Sequence, residues 1–515
     1  MSDPFVHLHV ASGYSLRYGA SHPHTLVERA AEQEMDTLAL TDRDGTYGAV
    51  KFTRACHVAG IRPVLGVELA HCPTLPTGGS RRPTQPWSTV TPKARTPVRG
   101  GSYRDPGPGV GGGLPRVTVL ASADGPGGGR AGWAALCRLV SATHLSGERG
   151  LPVLDLGALA DGRLGGDLGP QLLEHVAAGH LIVLLGPSSE LARAATRRRD
   201  DLALAALEPW RRLLPRAHLQ VELVSHRLPG DAGNGWGPGT TAHAARMARI
   251  ARRAGLGAVL SNAVRYADRR DAATVDVLDA ARRLVALDRR HVDRRNAEGF
   301  LKSGKQMAEI AEEIVRLSGL AADSDREAQR LLAHTRAVAD RCALDPRRDL
   351  GLGEVHFPEF ELTNRGVAPR LTPGASEADG LLRARCEGAI GDRYGSAPKA
   401  VIWKRLDDEL EMIRGLGYAS YFLTVGDVTD LIREMGVRCA ARGSGAGSLV
   451  NYLLGVSGVD PVRHNLLMER FLSPLREALP DIDVDVESAR RLEVYEKILD
   501  RYGGERCVCV SMMDT

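Results

Sequence analysis

The sequence has few aromatic residues, few cysteines and no long hydrophobic run. Phe, Trp and Tyr make up 4% of the 515 residues, so Leu, Val and Ala must carry most of the packing. No apolar stretch reaches the roughly 18 residues of a membrane-spanning helix, and the start of the sequence does not have the pattern of a secretory signal. The eight cysteines are scattered without a CxxC pair, which predicts free thiols in a reducing cytoplasm.

Net charge places little constraint on the partner. The chain carries 67 basic and 63 acidic residues, a formal net charge of +4, and this balance does not by itself indicate nucleic acid. Most of the basic residues are arginines, which bind phosphate better than lysines do, but they are spread along the whole sequence. A chain of 515 residues is too long for one core, and two to four domains are expected.

Strand patterns and helix patterns alternate through the first part of the chain. Segments such as TLALTD and RPVLGVELA are separated by amphipathic stretches, so an α/β domain with parallel strand pairing is expected at 1–285. Residues 71–115 are dense in Pro, Gly, Ser and Thr and are interpreted as a disordered insertion. Helical patterns at 286–350 predict a connector, and renewed alternation predicts a second α/β domain at 351–515.

The segment ALPDIDVDV, residues 478–486, places three aspartates in a type of strand that is otherwise buried. Because side chains alternate along a strand, Asp481, Asp483 and Asp485 would share one face, with neighbours on that face about 6–7 Å apart. Carboxylates at this separation can ligate a pair of divalent cations, as in-line phosphoryl transfer requires. An exposed acidic face that binds nothing explains the spacing at least as well, so the spacing alone leaves both interpretations open.

A loop of small residues shortly precedes this strand. In VRCAARGSGAGSLVNYLLG a strand pattern passes through residues 442–448 into a helix pattern. Small residues let backbone N–H groups approach a phosphate, the helix N-terminus adds a partial positive charge, and Arg442 can bind non-bridging oxygens. The loop lacks the Gly-Lys-Ser/Thr ending of a Walker A motif, and an ordinary tight turn is the alternative. A triphosphate cradle beside metal-binding carboxylates is what a nucleotidyltransferase needs.

Together these motifs resemble the palm of bacterial C-family DNA polymerases of the polymerase III alpha-subunit type. YFLTVGDVTDLI, ARGSGAGSLVNYLLGVSGVDP, LLMERFLSP and LPDIDVDV follow one another as in that palm. HLHVASGYSLRYGASHP, LALTDRDGTYGAVKF and GIRPVLGVELA resemble the polymerase-and-histidinol-phosphatase (PHP) domain of the same family, and GASHP and DVDVESARR are more similar to its error-prone branch. The resemblance implies a PHP-type βα barrel-like domain followed by a nucleotidyltransferase-type, polymerase beta-like palm with a mixed sheet.

The resemblance also implies roles for single residues of the palm. Asp481 and Asp483 match the two catalytic, metal-binding aspartates, whereas Asp485 shares their face without being a primary ligand. The loop that holds the incoming triphosphate matches Arg442, Gly443 and Ser444. Arg470 is a candidate for a phosphate or template contact, with a structural salt bridge as the alternative. The implied reaction is attack of a primer 3′-hydroxyl on the α-phosphate of a deoxynucleoside triphosphate, assisted by two Mg²⁺ ions.

The resemblance further implies that essential parts of the enzyme would follow the given sequence. The family's third catalytic aspartate, its thumb, its fingers and its clamp-binding region all lie beyond the point at which this sequence stops. We therefore expect residues 1–515 to be the N-terminal part of a polymerase that does not synthesise DNA alone. The partners implied by the family are primer-template DNA, deoxynucleoside triphosphates, a sliding clamp and accessory mutagenesis proteins, with no membrane contact.

The metal site of the PHP domain matches the family only in part. Of nine ligand positions in the family, four are kept: His7, His9, Asp42 and Glu68. The other five are filled by Arg43, Arg116, Pro187, Ala263 and Arg265. A guanidinium has no lone pair for a metal, so we expect a structural scaffold without bound metal and without exonuclease or phosphatase activity. The arginines would neutralise the remaining cluster, and stoichiometric zinc or manganese would contradict this hypothesis.

Two other functions stay open from the sequence. A stand-alone PHP phosphoesterase is opposed by the five replaced ligands and leaves the palm motifs unexplained. A non-catalytic module that binds DNA or another polymerase subunit would fit a chain with an incomplete palm. Metal analysis tests the phosphoesterase, and a reading frame that continues beyond Thr515 with a further strand aspartate would favour the polymerase over the module.

Overall fold

The computed structural model describes residues 5–75, 114–146, 152–230, 235–288, 294, 296–320, 323–354, 376–396, 399–473, 480–503, 507 and 510. These residues fall into two compact units, Met1–Glu354 and Val355–Met512. Most of the predicted insertion at 71–115 lies outside the described residues. Within the described ranges, no helix has the length and apolar character needed to cross a membrane.

The first unit is an α/β structure built on one sheet, which confirms the predicted fold class. Its strands within the described ranges are β1 (Thr37–Arg43), β2 (Arg62–Ala70), β3 (Arg116–Ala121), β4 (Leu181–Leu185), β5 (Leu219–Val224) and β6 (Gly257–Ser261). Its helices in the same ranges are α1 (Pro23–Glu32), α2 (Ala49–Ala59), α3 (Gly128–Leu145), α4 (Leu156–Ala160), α5 (Gly169–Ala177), α6 (Glu190–Thr196), α7 (Asp200–Ala205), α8 (Glu208–Leu213), α9 (Thr241–Ala254), α10 (Ala272–Arg283), α11 (Gly304–Ser318) and α12 (Ser324–Cys342).

The sheet is mixed rather than wholly parallel. Strand order follows chain order from β1 to β6, and β1–β2, β4–β5 and β5–β6 are parallel. The predicted parallel pairing is wrong at β3, which runs antiparallel to both β2 and β4. Ala70 and Arg116 are register partners, so β2 and β3 form a hairpin with a long connection. That connection has the Pro- and Gly-rich sequence noted above and lacks the helical pattern that a parallel crossover needs.

The N-terminal segment joins the two edges of the sheet. FVHLHV is not the regular strand that its sequence predicts, but it forms a bridge between Val10 and Val264. The Ala39 N–H of β1 donates to the His7 carbonyl at 3.1 Å, and the Val264 N–H, just after β6, donates to the His9 carbonyl at 2.9 Å. The segment therefore lies between β1 and the chain that follows β6, which confirms the barrel-like expectation and places both histidines at the seam.

Two layers of side chains fill the inside of this sheet. The apolar layer is closed by α12 and consists of Val6, Leu8, Ala39, Val64, Leu120, Ile182, Leu184, Val259, Val338, Ala339 and Cys342. A buried polar layer contains His9, Glu68, Thr118, Glu222 and Ser261. Because strand side chains alternate, Glu68 shares the face of Val64 in β2, and Thr118 shares that of Leu120 in β3. Buried polar groups of this kind need hydrogen-bonding partners, and two of the four retained PHP residues, His9 and Glu68, belong to this layer.

The second unit packs helices around a short strand pair. Its elements within the described ranges are α13 (Glu377–Tyr394), α14 (Ala400–Gly415), α15 (Ala419–Glu434), β7 (Cys439–Arg442), α16 (Leu449–Leu453), β8 (Asp483–Val486) and α17 (Arg491–Tyr502). β7 and β8 pair antiparallel. Leu406, Phe422, Leu453 and Phe471 belong to its main core. The predicted mixed-sheet palm is represented, among the described residues, by this antiparallel pair alone.

The predicted domain limits at 285 and 351 stay predictions. Helices α11 and α12, which fall in the predicted connector, contribute Met307 and Val338 to the cores of the first unit. The start of α11 is set by a capping box in which Ser303 and Gln306 bond reciprocally. The connector thus shares the hydrophobic packing of the first unit.

Candidate active site

The β7–β8 pair brings the small-residue loop next to two of the predicted aspartates. β7 ends at Arg442, β8 begins at Asp483, and these residues are register partners. The Arg442 guanidinium lies 3.3 Å from the Asp483 carboxylate, and its Nε donates to Asp485 at 2.9 Å. Asp483 and Asp485 therefore share one face, as strand alternation predicts. Since all three side chains are largely exposed, the ion pairs contribute little stability, but they offset the repulsion between the carboxylates.

Asp481 lies before the strand rather than within it. The strand predicted for 481–486 begins at Asp483 because its partner Arg442 is the last residue of β7. The Ile482 N–H donates to the Tyr421 hydroxyl of α15 at 2.9 Å, which fixes the backbone next to Asp481. Burial raises the pKa of Tyr421, and the nearby charges of Asp481 and Asp483 raise it further. Tyr421, which the sequence analysis missed, is thus close to both predicted metal ligands.

The loop after β7 approaches the Asp483 carboxylate with its backbone. Gly443 has a φ of +69°, a left-handed conformation that glycine adopts without strain. A Cβ at this position would lie 3.8 Å from the Asp483 carboxylate oxygen. Residues 443–447 form a tight 3-10 turn, and Ser444 is exposed. The structure therefore places Arg442 and Gly443 beside Asp483, and Ser444 follows them in the same turn.

The N-terminus of α16 is occupied by a side chain of the protein. Glu409 of α14 is buried and accepts hydrogen bonds from the Leu449 N–H at 3.0 Å and the Val450 N–H at 3.1 Å. Arg405 donates to the same carboxylate at 2.6 Å. The leading N–H groups of this helix are therefore already used, so they are not free to bind phosphate directly, and the predicted contribution of the helix N-terminus to phosphate binding stays a prediction. Any phosphate contact of the loop must come from residues before α16.

The sequence contains only a weak indication that Glu409 is buried and paired. Leu406, Leu410 and Ile413 form the buried stripe of α14, and Glu409 falls between them at helical spacing. An acidic residue on an apolar stripe needs a buried partner, but the sequence does not show which partner. Burial raises the pKa of Glu409, and the N–H donors of α16 together with Arg405 oppose that rise.

Arg470 lies at the end of the 3-10 turn Met468–Arg470. Its neighbours Met468 and Phe471 are buried in the core of the second unit, whereas Arg470 itself is exposed. A contact of Arg470 with phosphate or template stays a prediction.

The donor set at β8 fits Mg²⁺. In the described part of the chain, neither the Asp481 carboxylate nor Oδ1 of Asp483 has a hydrogen-bond or ion-pair partner, so their lone pairs are available. Magnesium at phosphoryl-transfer sites is held by one or two carboxylates together with substrate phosphates. The described residues contain no group of three or more metal-ligating side chains, so a magnesium site here depends on the substrate to supply further oxygens.

The first unit pairs its retained Glu68 with two of the substituted arginines. The Arg43 Nε donates to the Glu68 carboxylate at 2.6 Å, and the Arg116 guanidinium lies 3.4 Å from it. Burial opposes ionisation of Glu68, but the charges of Arg43 and Arg116 outweigh it and lower its pKa to about 2. Glu68 is therefore ionised and already neutralised by the protein. Arg116 also pairs with Asp44 at 2.6 Å.

The two retained histidines are held by protein groups as well. His7 Nε2 bonds the Lys302 carbonyl at 2.8 Å, and burial lowers the pKa of this histidine to about 4. His9 Nδ1 lies 2.8 Å from the Glu222 carboxylate. Burial lowers the pKa of His9, but Glu222 outweighs this effect and the net shift is upward. Glu222 was missed by the sequence analysis, although a glutamate inside the strand LQVELV was a visible signal.

Asp42 and Arg265 also find their partners within the first unit. The Asp42 carboxylate accepts from the Ser12 N–H at 2.7 Å and the Ser15 hydroxyl at 2.7 Å. Burial raises the pKa of Asp42 to about 6. Arg265, at the fifth replaced position, pairs with buried Asp279 at 2.6 Å and does not contact Glu68. The arginine neutralisation that we hypothesised is thus seen for Arg43 and Arg116, but Arg265 serves another carboxylate.

These residues do not fit a PHP metal cluster. Two guanidinium groups lie on the carboxylate that a metal would need, and their charge repels a cation. Among the residues that the structure describes, His7 Nδ1 and Glu222 Oε2 are buried without a hydrogen-bond partner, but two such atoms do not make a coordination shell.

Comparison with known families assigns both units. Residues 7–226 match the family described as PHP domain, and residues 380–515 match the family described as Bacterial DNA polymerase III alpha NTPase domain. The first part of the chain thus matches a PHP domain and the last part a polymerase III alpha NTPase domain, which confirms the predicted resemblance to the C-family DNA polymerases.

Similarity to individual relatives covers the whole chain. A protein named Error-prone DNA polymerase from Mycolicibacterium paratuberculosis is 32% identical over 525 residues, which are 100% of this chain and 39% of the relative. The protein of the same name from Symbiobacterium thermophilum is 32% identical over 99% of this chain and 40% of its own length. DNA polymerase III subunit alpha of Saccharopolyspora erythraea is 27% identical over 98% of this chain and 37% of its own length. The chain thus spans less than half the length of these relatives.

Proposed function

We propose that this chain supplies the PHP domain and part of the palm of a C-family DNA polymerase of the error-prone type. Its palm would bind an incoming deoxynucleoside triphosphate for attack by a primer 3′-hydroxyl. The observation that carries the proposal is the pairing of Arg442 with Asp483, because it joins a phosphate-binding type of loop to a metal-binding type of strand. Two separate sequence motifs would thus serve one reaction.

Asp481 and Asp483 would hold Mg²⁺, and the protein residues around them would position the triphosphate. When bound, magnesium supplies the positive charge that neutralises phosphate oxygens during transfer. Arg442, which bonds Asp483 and Asp485 in this structure, is within reach of the same phosphates. With the cation bound, the Arg442 guanidinium would be available to bind non-bridging oxygens of the triphosphate, and the backbone N–H groups of Gly443 and Ser444 would be further donors.

The partners that the family resemblance implies belong to this proposal. They are primer-template DNA, deoxynucleoside triphosphates, a sliding clamp and accessory mutagenesis proteins. The name of the relatives, Error-prone DNA polymerase, supports a role in DNA repair and in translesion synthesis past DNA damage. We propose a cytoplasmic location as well. Residues 1–515 alone are proposed not to extend a primer, because the described palm brings together two metal-ligating aspartates where the family uses three.

The PHP domain is proposed to act as a scaffold without a metal. The observation that favours this role over a phosphoesterase is the occupation of Glu68 by Arg43 and Arg116. A non-catalytic module that binds DNA or another subunit remains compatible with the first unit and is tested separately below.

Nucleotide binding tests the palm proposal. Asp481→Asn together with Asp483→Asn is expected to weaken magnesium-dependent dATP binding by tenfold or more, because the amides cannot neutralise the cation that links protein and triphosphate. Binding would be measured by calorimetry on residues 1–515 with and without Mg²⁺.

The matched control is Asp485→Asn, which alters a carboxylate on the same face that is not a proposed ligand. We expect its dATP affinity to stay within a few-fold of wild type. Equal binding by wild type and the double variant would exclude the proposed site.

A further inference from the structure

Exposed arginines gather at the C-terminal end of α9. This arginine surface comprises Arg211, Arg212, Arg216, Arg249, Arg252 and Arg253, all of which are exposed. Two of them reach the end of the helix from outside it: Arg211 Nη2 donates to the Ala254 carbonyl at 2.7 Å, and Arg216 Nε donates to the Gly255 carbonyl at 2.7 Å. Residues that are separated in the sequence are thereby held on one small area.

Helix α9 presents two more of these arginines toward the end of α11. Arg249 donates to the Ser318 carbonyl at 3.3 Å, and Arg252 donates to the Leu320 carbonyl at 2.5 Å. Each bond uses one or two of the five guanidinium N–H groups, so most donors of the surface are left over. Hydrogen bonds to the carbonyl groups at helix ends explain where the arginines lie, but these neutral carbonyls do not neutralise the positive charges of the arginines.

Few carboxylates neutralise this surface. Arg211 lies 3.1 Å from Glu208, and Arg253 lies 4.0 Å from Asp200. Among the residues that the structure describes, the other four arginines have no carboxylate within ion-pair distance. Six arginines against two carboxylates leave an excess of four positive charges, as large as the net charge of the whole chain. The arginine surface is therefore locally positive, whereas basic and acidic residues nearly balance over the rest of the chain.

The chemistry of the surface fits a polyanion with regularly spaced phosphates. It contains arginine and no lysine, and arginine is the residue that binds phosphate oxygens in a bidentate manner. No large apolar side chain is exposed among the described residues between 190 and 260, whereas the centre of a protein interface needs such side chains. Leu317, whose carbonyl is 3.4 Å from Arg249, is exposed but stands alone.

We propose that the arginine surface binds the phosphate backbone of duplex DNA without reading its sequence. This contact lies in the first unit and does not depend on nucleotidyl transfer at Asp481 and Asp483. It gives the PHP domain a DNA-binding role in place of the metal chemistry that its substituted centre does not support.

Salt dependence of DNA binding tests this proposal. The affinity of residues 1–515 for a blunt duplex, measured by fluorescence anisotropy without Mg²⁺ or nucleotide, is expected to fall steeply with salt. In Arg249→Gln with Arg252→Gln, the slope of log affinity against log salt should be smaller by about 2, since each phosphate contact contributes about 0.9. At a fixed moderate salt concentration, the affinity should drop roughly tenfold or more.

Three comparisons make the result specific. Arg249→Lys with Arg252→Lys keeps the charge and should keep the salt slope, and Arg54→Gln with Arg347→Gln removes two exposed arginines elsewhere and should leave affinity unchanged. Circular dichroism checks that each variant is folded. An unchanged slope in the glutamine variant would overturn the proposal. Binding of poly-L-glutamate through the same arginines, with no binding of DNA, would also overturn it and would indicate an acidic protein partner.

Discussion

Glu409→Ala is expected to loosen the candidate active-site loop and to destabilise the second unit by roughly 2–4 kcal/mol of unfolding free energy. Its buried carboxylate binds the Leu449 and Val450 N–H groups and Arg405 at once. Removal leaves these two N–H groups and the buried Ser448 hydroxyl, which also donates to Glu409, without their acceptor, and it leaves Arg405 without its carboxylate. Hydrogen exchange followed by mass spectrometry should therefore show faster exchange of the Leu449 and Val450 amides, together with weaker dATP binding.

Glu411→Ala is the matched control for this prediction. Glu411 lies on the same helix, but its side chain is 78% exposed and its contact with Arg414 is long, at 3.9 Å. We expect wild-type exchange in this variant. If the amides of α16 exchange equally slowly in Glu409→Ala and wild type, the loop does not depend on Glu409 as we describe.

Glu68→Gln is expected to destabilise the first unit by roughly 3–5 kcal/mol, because it removes the charge that Arg43 and Arg116 share in a buried position. Both arginine side chains are largely buried, at 14% and 6% exposed. Urea unfolding near neutral pH measures this loss of unfolding free energy. Prolonged treatment of wild type with a chelator should leave its unfolding midpoint unchanged, since arginines rather than a metal neutralise Glu68.

The difference in unfolding free energy between wild type and Glu68→Gln should change with pH in one direction. The pKa of Glu68 is lowered from 4.5 to about 2, so its contribution is fully present above 4.5 and is lost as the pH falls toward 2. The gap between wild type and Glu68→Gln should therefore narrow in acid. Glu32→Gln, which alters an exposed ion pair on α1, should have little effect. A chelator that destabilises wild type, or stoichiometric zinc or manganese in the purified chain, would contradict the scaffold role.

The sequence made the neighbourhood of Arg442 and Asp483 predictable. Both residues lie at the ends of short strand patterns, and pairing of those patterns brings the loop to the carboxylates. The same reasoning misplaced Asp481, because it could not tell that β8 starts only where β7 provides a partner. It also missed Glu409 and Tyr421, whose roles depend on how α14 and α15 pack against the loop. Such contacts between distant segments leave at most an unexplained polar residue on an apolar face.

In the first unit, too, some features of the site can be predicted from the sequence and others depend on contacts between distant segments. The presence of Arg43 and Arg116 at the family's metal-ligand positions is visible in the sequence, and so is the resulting expectation of a scaffold without metal. The pairing of His9 with Glu222 of β5 is not visible, because it requires the N-terminal segment to lie between β1 and the chain that follows β6. The antiparallel pairing of β3 was likewise not predicted, because the length of the connection between β2 and β3 does not determine whether the two strands run parallel or antiparallel.

Metal-directed cleavage tests the central claim most directly. Fe²⁺ in place of Mg²⁺, with dATP, ascorbate and peroxide, produces radicals that cut the backbone near the bound ion. We predict cuts close to residues 442–444 and 480–484, both lost when Asp481 and Asp483 are changed to asparagine. Cuts near His9 and Glu68 instead, or cuts at the loop that persist in the double variant, would contradict a metal–triphosphate site at the β7–β8 pair.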